Sequence, residues 1–132
     1  MYTLDYQPFD QEIWEKELDD FIPDCVYDMH THMWSEKHKG NLVGPPSGLR
    51  LDIDYQDHLS WANKLYPGRE MHYLILGTPI IGMDIESHNV WMAEELKADP
   101  ESAINMIVTP DMTPEYVANQ VKKYNILGLK PY

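Results

Sequence analysis

Asp28-Met29-His30-Thr31-His32 is the segment whose residue types and spacing could do chemistry. It closes a short apolar run, Cys25-Val26-Tyr27, which reads as a buried strand. Alternate side chains of a strand share a face. The spacing therefore predicts Asp28, His30 and His32 on one face at the strand's carboxyl end. Neutral imidazoles are good ligands for zinc and similar divalent ions. Two of them side by side, with a carboxylate just below, make half of a metal site. His30 and His32 are the candidate ligands, and Asp28 is better placed to orient the site than to ligate. The same residues would also suit a polar strand end that bonds to loop backbone.

Lys130 is the second candidate. It ends the fourth expected strand, so it belongs to the same sheet edge as the histidines. A lysine there can bind an anionic substrate. Its amine can also be carbamylated, which turns a cation into a carboxylate-like metal ligand. A solvated lysine at a strand end is the alternative. Trp34 follows the histidine pair and could wall a substrate pocket, and His38 could reach the site from a loop. His58 and His88 fall on expected helices and His72 at a strand start, so these three read as structural. Trp14, Trp61 and Trp91 fall at helical positions and read as packing anchors.

The elements that must position these residues follow from periodicity. Ile13, Trp14, Leu18 and Phe21 recur at helical spacing and predict a helix from Asp10, as N-cap, to Phe21. The first strand is expected near Cys25–His30. Ser35 to Arg50 is a long polar segment, of a length usually functional or mobile. Tyr55, His58, Leu59, Ala62 and Leu65 predict a helix over 54–66, stopped by Pro67-Gly68. Met71 to Gly77 is nearly all apolar, as in a strand covered on both faces. A helix over 84–98 and a buried strand over 103–108 follow. Thr113 as N-cap and Pro114 at the first helical position open a helix to about Tyr124, and a last strand spans 126–130. Strands alternating with helices predict a parallel sheet with helical crossovers.

Composition limits the function classes. The formal net charge of -12 repels phosphate backbones, which argues against nucleic acid as a partner. No apolar run approaches bilayer length, so no membrane partner is expected. Met1-Tyr2-Thr3-Leu4-Asp5 lacks the basic and apolar regions of a secretory signal, and a cytoplasmic location is the expectation. Cys25 is the only cysteine, which excludes an internal disulfide and a multi-cysteine zinc cluster.

Asp28-Met29-His30-Thr31-His32 after an apolar strand resembles the first metal motif of the amidohydrolase superfamily. Asn89, then Ala98-Asp99-Pro100, then Val108-Thr109-Pro110, then Ile126-Leu127-Gly128-Leu129-Lys130 resemble, in that order, its amidohydrolase-related branch. That branch includes metal-dependent decarboxylases and lactone or amide hydrolases. The resemblance covers about Cys25 to Lys130. It implies a (β/α)8 barrel with a divalent metal at its carboxyl end, zinc foremost and manganese as the alternative. The family's two strand-1 histidines carry over to His30 and His32, and its strand-4 lysine, where one is used, to Lys130. The histidines of strands 5 and 6 and the aspartate of strand 8 have no counterpart.

A full barrel takes about 250 residues. The expected fold class is therefore α/β, a parallel (β/α) half-barrel made of the first four strands of a TIM-barrel-type hydrolase. One domain is expected over 1–132, with an N-terminal helix in 1–24 and the half-barrel in 25–132. The chain would be the N-terminal part of a longer protein, or a half-barrel that pairs. Open edges at strands 1 and 4 invite association, so a second copy or a missing C-terminal half is the expected protein partner. The implied function is that of a metal-dependent hydrolase, or a decarboxylase or lyase, acting on a small carbonyl or carboxylate compound through metal-activated water. Two histidines leave a metal under-coordinated, so the chain alone is expected to be inactive or very weak. Two other readings stay open. One is a phosphoesterase of the polymerase-and-histidinol-phosphatase class, disfavoured by Met33-Trp34-Ser35 after the motif. The other is a non-catalytic half-barrel scaffold.

Overall fold

The computed structural model describes residues 4–41 and 52–132. Most of the long polar segment, residues 42–50, lies outside the described residues. The architecture is α/β. Strands β1 (Cys25–His32), β2 (Glu70–Leu76), β3 (Ala103–Val108) and β4 (Ile126–Pro131) form one four-stranded sheet in the order β1-β2-β3-β4. All three pairings are parallel. Helices α2 (Tyr55–Leu65), α3 (Ile85–Glu95) and α4 (Pro114–Lys123) make the crossovers. This sequential order is compatible with half of a (β/α) barrel.

Local chemistry sets the helix boundaries. The Asp54 carboxylate accepts from the Asp57 N–H at 2.9 Å and caps α2. Asp84 accepts from Ser87 at 3.1 Å, and Thr113 from Tyr116 at 3.1 Å, to cap α3 and α4. The helix α2 gives way at Tyr66, just before Pro67 and Gly68, whose φ of 76° suits a residue without a Cβ.

The first helix differs from the sequence expectation. Helix α1 starts earlier, at Pro8–Ile13, and continues as a π-helical turn over Trp14–Leu18. Asp10 is not its N-cap. It lies in the first turn and accepts from the Gln7 N–H at 2.8 Å. Arg69, just before β2, ties this segment down. Its guanidinium donates to the Ile22 carbonyl at 3.1 Å, pairs with Asp19 at 2.8 Å and lies 5.0 Å from the Trp14 ring centre.

The core fills the space between the sheet and the helices. Met71, Tyr73 and Ile75 of β2 and Ile104 of β3 meet Ala62 of α2 and Met92, Ala93 and Leu96 of the α3 segment. The helical layer therefore covers the odd-numbered side of β2. At the carboxyl end of the sheet, a side chain on Gly77 would require Ile107 to shift. A Cβ there would stand 2.5 Å from Ile107 Cδ1.

Candidate functional site

Strand β1 is not regular through the motif. Asp28 pairs with Tyr73 and Thr31 with Ile75, so β1 spends one residue more than β2 between these pairs. An extra residue of this kind is a β-bulge. Paired neighbours in a sheet share a face, so Asp28 and Thr31 both belong with Tyr73 and Ile75 on the helical side. Asp28, Thr31, His58, Trp61 and Tyr73 indeed line one cleft of about 160 Å³. His32, next to Thr31 and paired with Leu76, belongs to the opposite side. This corrects the regular-strand expectation that Asp28, His30 and His32 share a face. The Asp28 carboxylate instead accepts from the His30 N–H at 3.0 Å and so braces the bulge.

The two histidines themselves are brought together. Their ring centres lie 5.4 Å apart at 65°. His30 is exposed and His32 half-buried. The Thr78 hydroxyl meets His32 Nδ1 at 2.7 Å, which leaves Nε2 for another partner. His58, on α2, reaches the His32 carbonyl with Nε2 at 3.1 Å and so holds the backbone of the site. Burial lowers the pKa of His32, the Lys130 cation lowers it further, and a hydrogen bond to the Leu76 backbone opposes both. A neutral imidazole results, which is the form that ligates.

Lys130 reaches the same sheet edge. It pairs with Ile107 in the β3–β4 register, and its ammonium donates to the Gly77 carbonyl at 3.0 Å. Gly77 and Thr78 thus hold Lys130 and His32 respectively, from consecutive residues after β2. Trp34 is 6.4 Å from His32 between ring centres and is fixed by an antiparallel bridge to Ile53. His38 packs elsewhere, 5.5 Å from the His88 ring and 5.7 Å from Trp91. Sequence reading missed Thr78. The usable signal was its place directly after the carboxyl end of β2, where α/β proteins build sites.

The amino edge of the sheet holds a second group. Cys25, Glu70 and His72 each offer a donor atom within 4.8 Å of the others. His72 reads from sequence as structural, and it is buried against Asp99.

No family model matches the chain, and no curated protein or solved structure matches it. Among the described residues, no helix is long and apolar enough to cross a membrane.

Proposed function

We propose that this chain carries the strand-1 ligand pair and the strand-4 lysine of a metal-dependent hydrolase of amidohydrolase type. The observation that carries this reading is the convergence of His30, His32 and Lys130 on one sheet edge, with the histidine rings 5.4 Å apart. The donor set fits a divalent ion in part. Two imidazoles supply two of the three or four protein ligands that zinc takes, and further donors would come with an associating half. Zinc is favoured, with manganese second.

A bound ion would supply an acidified water and polarise a substrate carbonyl. The chain's own residues set the conditions. Thr78 fixes the ring angle of His32, His58 holds its backbone, and Asp28 holds that of His30. Lys130 offers a cation to a substrate carboxylate. Its bond to the Gly77 carbonyl suits an ammonium, and a carbamate there would face that carbonyl oxygen instead. The substrate class is a small compound with a carbonyl or carboxylate group.

Association is part of the reading. Tyr27, Met29 and Leu127 are 49%, 54% and 66% exposed, and they line one cleft on the sheet with Leu74 and Ala103. A second copy or a complementary half would cover this apolar ground. A stable monomer in sedimentation at micromolar concentration would count against it.

The deciding experiment is metal analysis in a Cys25→Ser background, which removes the thiol at the other sheet edge. After chelation and dialysis against zinc, about one equivalent is expected to remain. His30→Ala/His32→Ala should lose it. Equal retention in both proteins, or none in either, overturns the assignment.

A further inference from the structure

The donor group at the amino edge of the sheet is separate from the His30–His32 pair and independent of that reading. Cys25 lies opposite Glu70 in the β1–β2 register, and His72 follows Glu70 by two residues. The three side chains therefore share one face. Their donor atoms lie within 4.8 Å of one another. Donor atoms around one tetrahedral zinc sit roughly 3–4 Å apart, given metal–ligand bonds near 2.0–2.3 Å. Side-chain rotation alone closes the set.

His72 is the pre-oriented member. Its side chain is only 8% exposed. Nδ1 faces both Asp99 oxygens at 3.0 Å. Nε2 is left toward Glu70, 3.5 Å from its Oε1. Asp99 is itself fixed, accepting from the Tyr55 hydroxyl at 2.7 Å and the Glu101 N–H at 3.1 Å, and from the Ser102 hydroxyl. An anionic carboxylate on Nδ1 keeps the proton there and leaves the Nε2 lone pair free. Carboxylate–histidine pairs of this kind orient the imidazoles of metal sites and raise their basicity.

Entry is open, because Cys25 and Glu70 are both exposed. The net charge of -12 attracts cations. The donor types decide which cation. A thiolate with an imidazole and one carboxylate suits zinc, whereas calcium and magnesium require oxygen ligands.

We propose that Cys25, Glu70 and His72 form a site for a zinc-class divalent cation that joins the starts of β1 and β2. Water completes the tetrahedron, and Asp99 acts as a positioning residue. An ion held by two strands at once stabilises the folded chain, because the unfolded chain offers no such set.

The test is a titration of the chelator-stripped full chain with cobalt(II), whose thiolate charge-transfer band in the near ultraviolet reports a sulfur ligand. A band is expected, and in the His30→Ala/His32→Ala protein it saturates at one equivalent. Cys25→Ser should abolish it, and Glu70→Gln and His72→Gln should each require at least tenfold more cobalt. Asp99→Asn should weaken binding about 10–100-fold. His30→Ala/His32→Ala should leave the band intact. Zinc should raise the melting temperature of the His30→Ala/His32→Ala protein and leave that of the same protein carrying Cys25→Ser unchanged. Cys25 and Glu70 are exposed, so their variants decide the matter even if His72→Gln fails to fold. Absence of the band at millimolar cobalt, or unchanged affinity in Glu70→Gln, overturns the proposal.

Discussion

Asn89 and Ile107 are joined by two hydrogen bonds, although one lies on α3 and the other on β3. The Asn89 amide donates to the Ile107 carbonyl at 2.8 Å, and its Oδ1 accepts from the Ile107 N–H at 2.9 Å. Both residues are buried, so no water can replace the amide. This clasp fixes the end of β3 directly beside its register partner Lys130.

Asn89→Ala is expected to destabilise the fold by about 2–6 kcal/mol, because two buried backbone groups each lose a partner at about 1–3 kcal/mol apiece. Asn89→Asp should not restore stability, since a carboxylate would oppose the Ile107 carbonyl. Urea unfolding of the three proteins checks this. A loss below about 1 kcal/mol in both variants would refute it.

His88 sets an acid limit on the fold. It is 1% exposed, and neither of its ring nitrogens finds a partner among the described residues. Burial, and then the neighbouring His38, push its pKa down from 6.5 to about 4. The unfolded chain thus takes up this proton at higher pH than the folded one. Stability is full at neutral pH and falls as the pH drops from 6.5 toward 4, by on the order of 3 kcal/mol for this residue. His88→Leu should flatten that part of the stability–pH curve. Parallel curves for the two proteins between pH 7 and 4.5 would sink the prediction.

The cation of Lys130 acts on His32. In metal-free protein, Lys130→Met should raise the titration midpoint of His32, because burial would remain but the positive charge would not. An unmoved His32 signal would mean that the two side chains do not share an edge in solution.

Arg69 anchors the N-terminal segment through bonds that a lysine cannot reproduce, because they use its planar fork and its ring stacking together. Arg69→Lys and Arg69→Ala should both speed hydrogen exchange over residues 14–22, and should cost about 1–3 kcal/mol. Full protection in Arg69→Lys would show that charge alone suffices.

Several features were readable in the residues. Alternating apolar runs and helical stripes located the four strands, and Thr113 marked a helix start by its capping chemistry. The proximity of His30 and His32 followed from their spacing. Asp28 did not follow, because a one-residue bulge leaves the apolar pattern intact while turning the strand over. The π-helical turn at Trp14–Leu18 was hidden for a similar reason, since it shifts the period without changing which residues are apolar. The pairing of His72 with Asp99 spans 27 positions, and no local pattern announces it. Thr78 becomes informative only once β2 has a defined end.

The bulge in β1 also divides that strand into two independently phased halves. Residues before it answer to the register set at Cys25 and Glu70, and residues after it to the register set at Thr31 and Ile75. Were β1 regular with every residue kept, His32 would turn into the helical layer while Cys25 stayed where it is. The extra residue thus works as insulation. Changes at the amino end of the strand need not rotate the histidine at its carboxyl end, so the two edges of the sheet are free to acquire or lose their ligands separately.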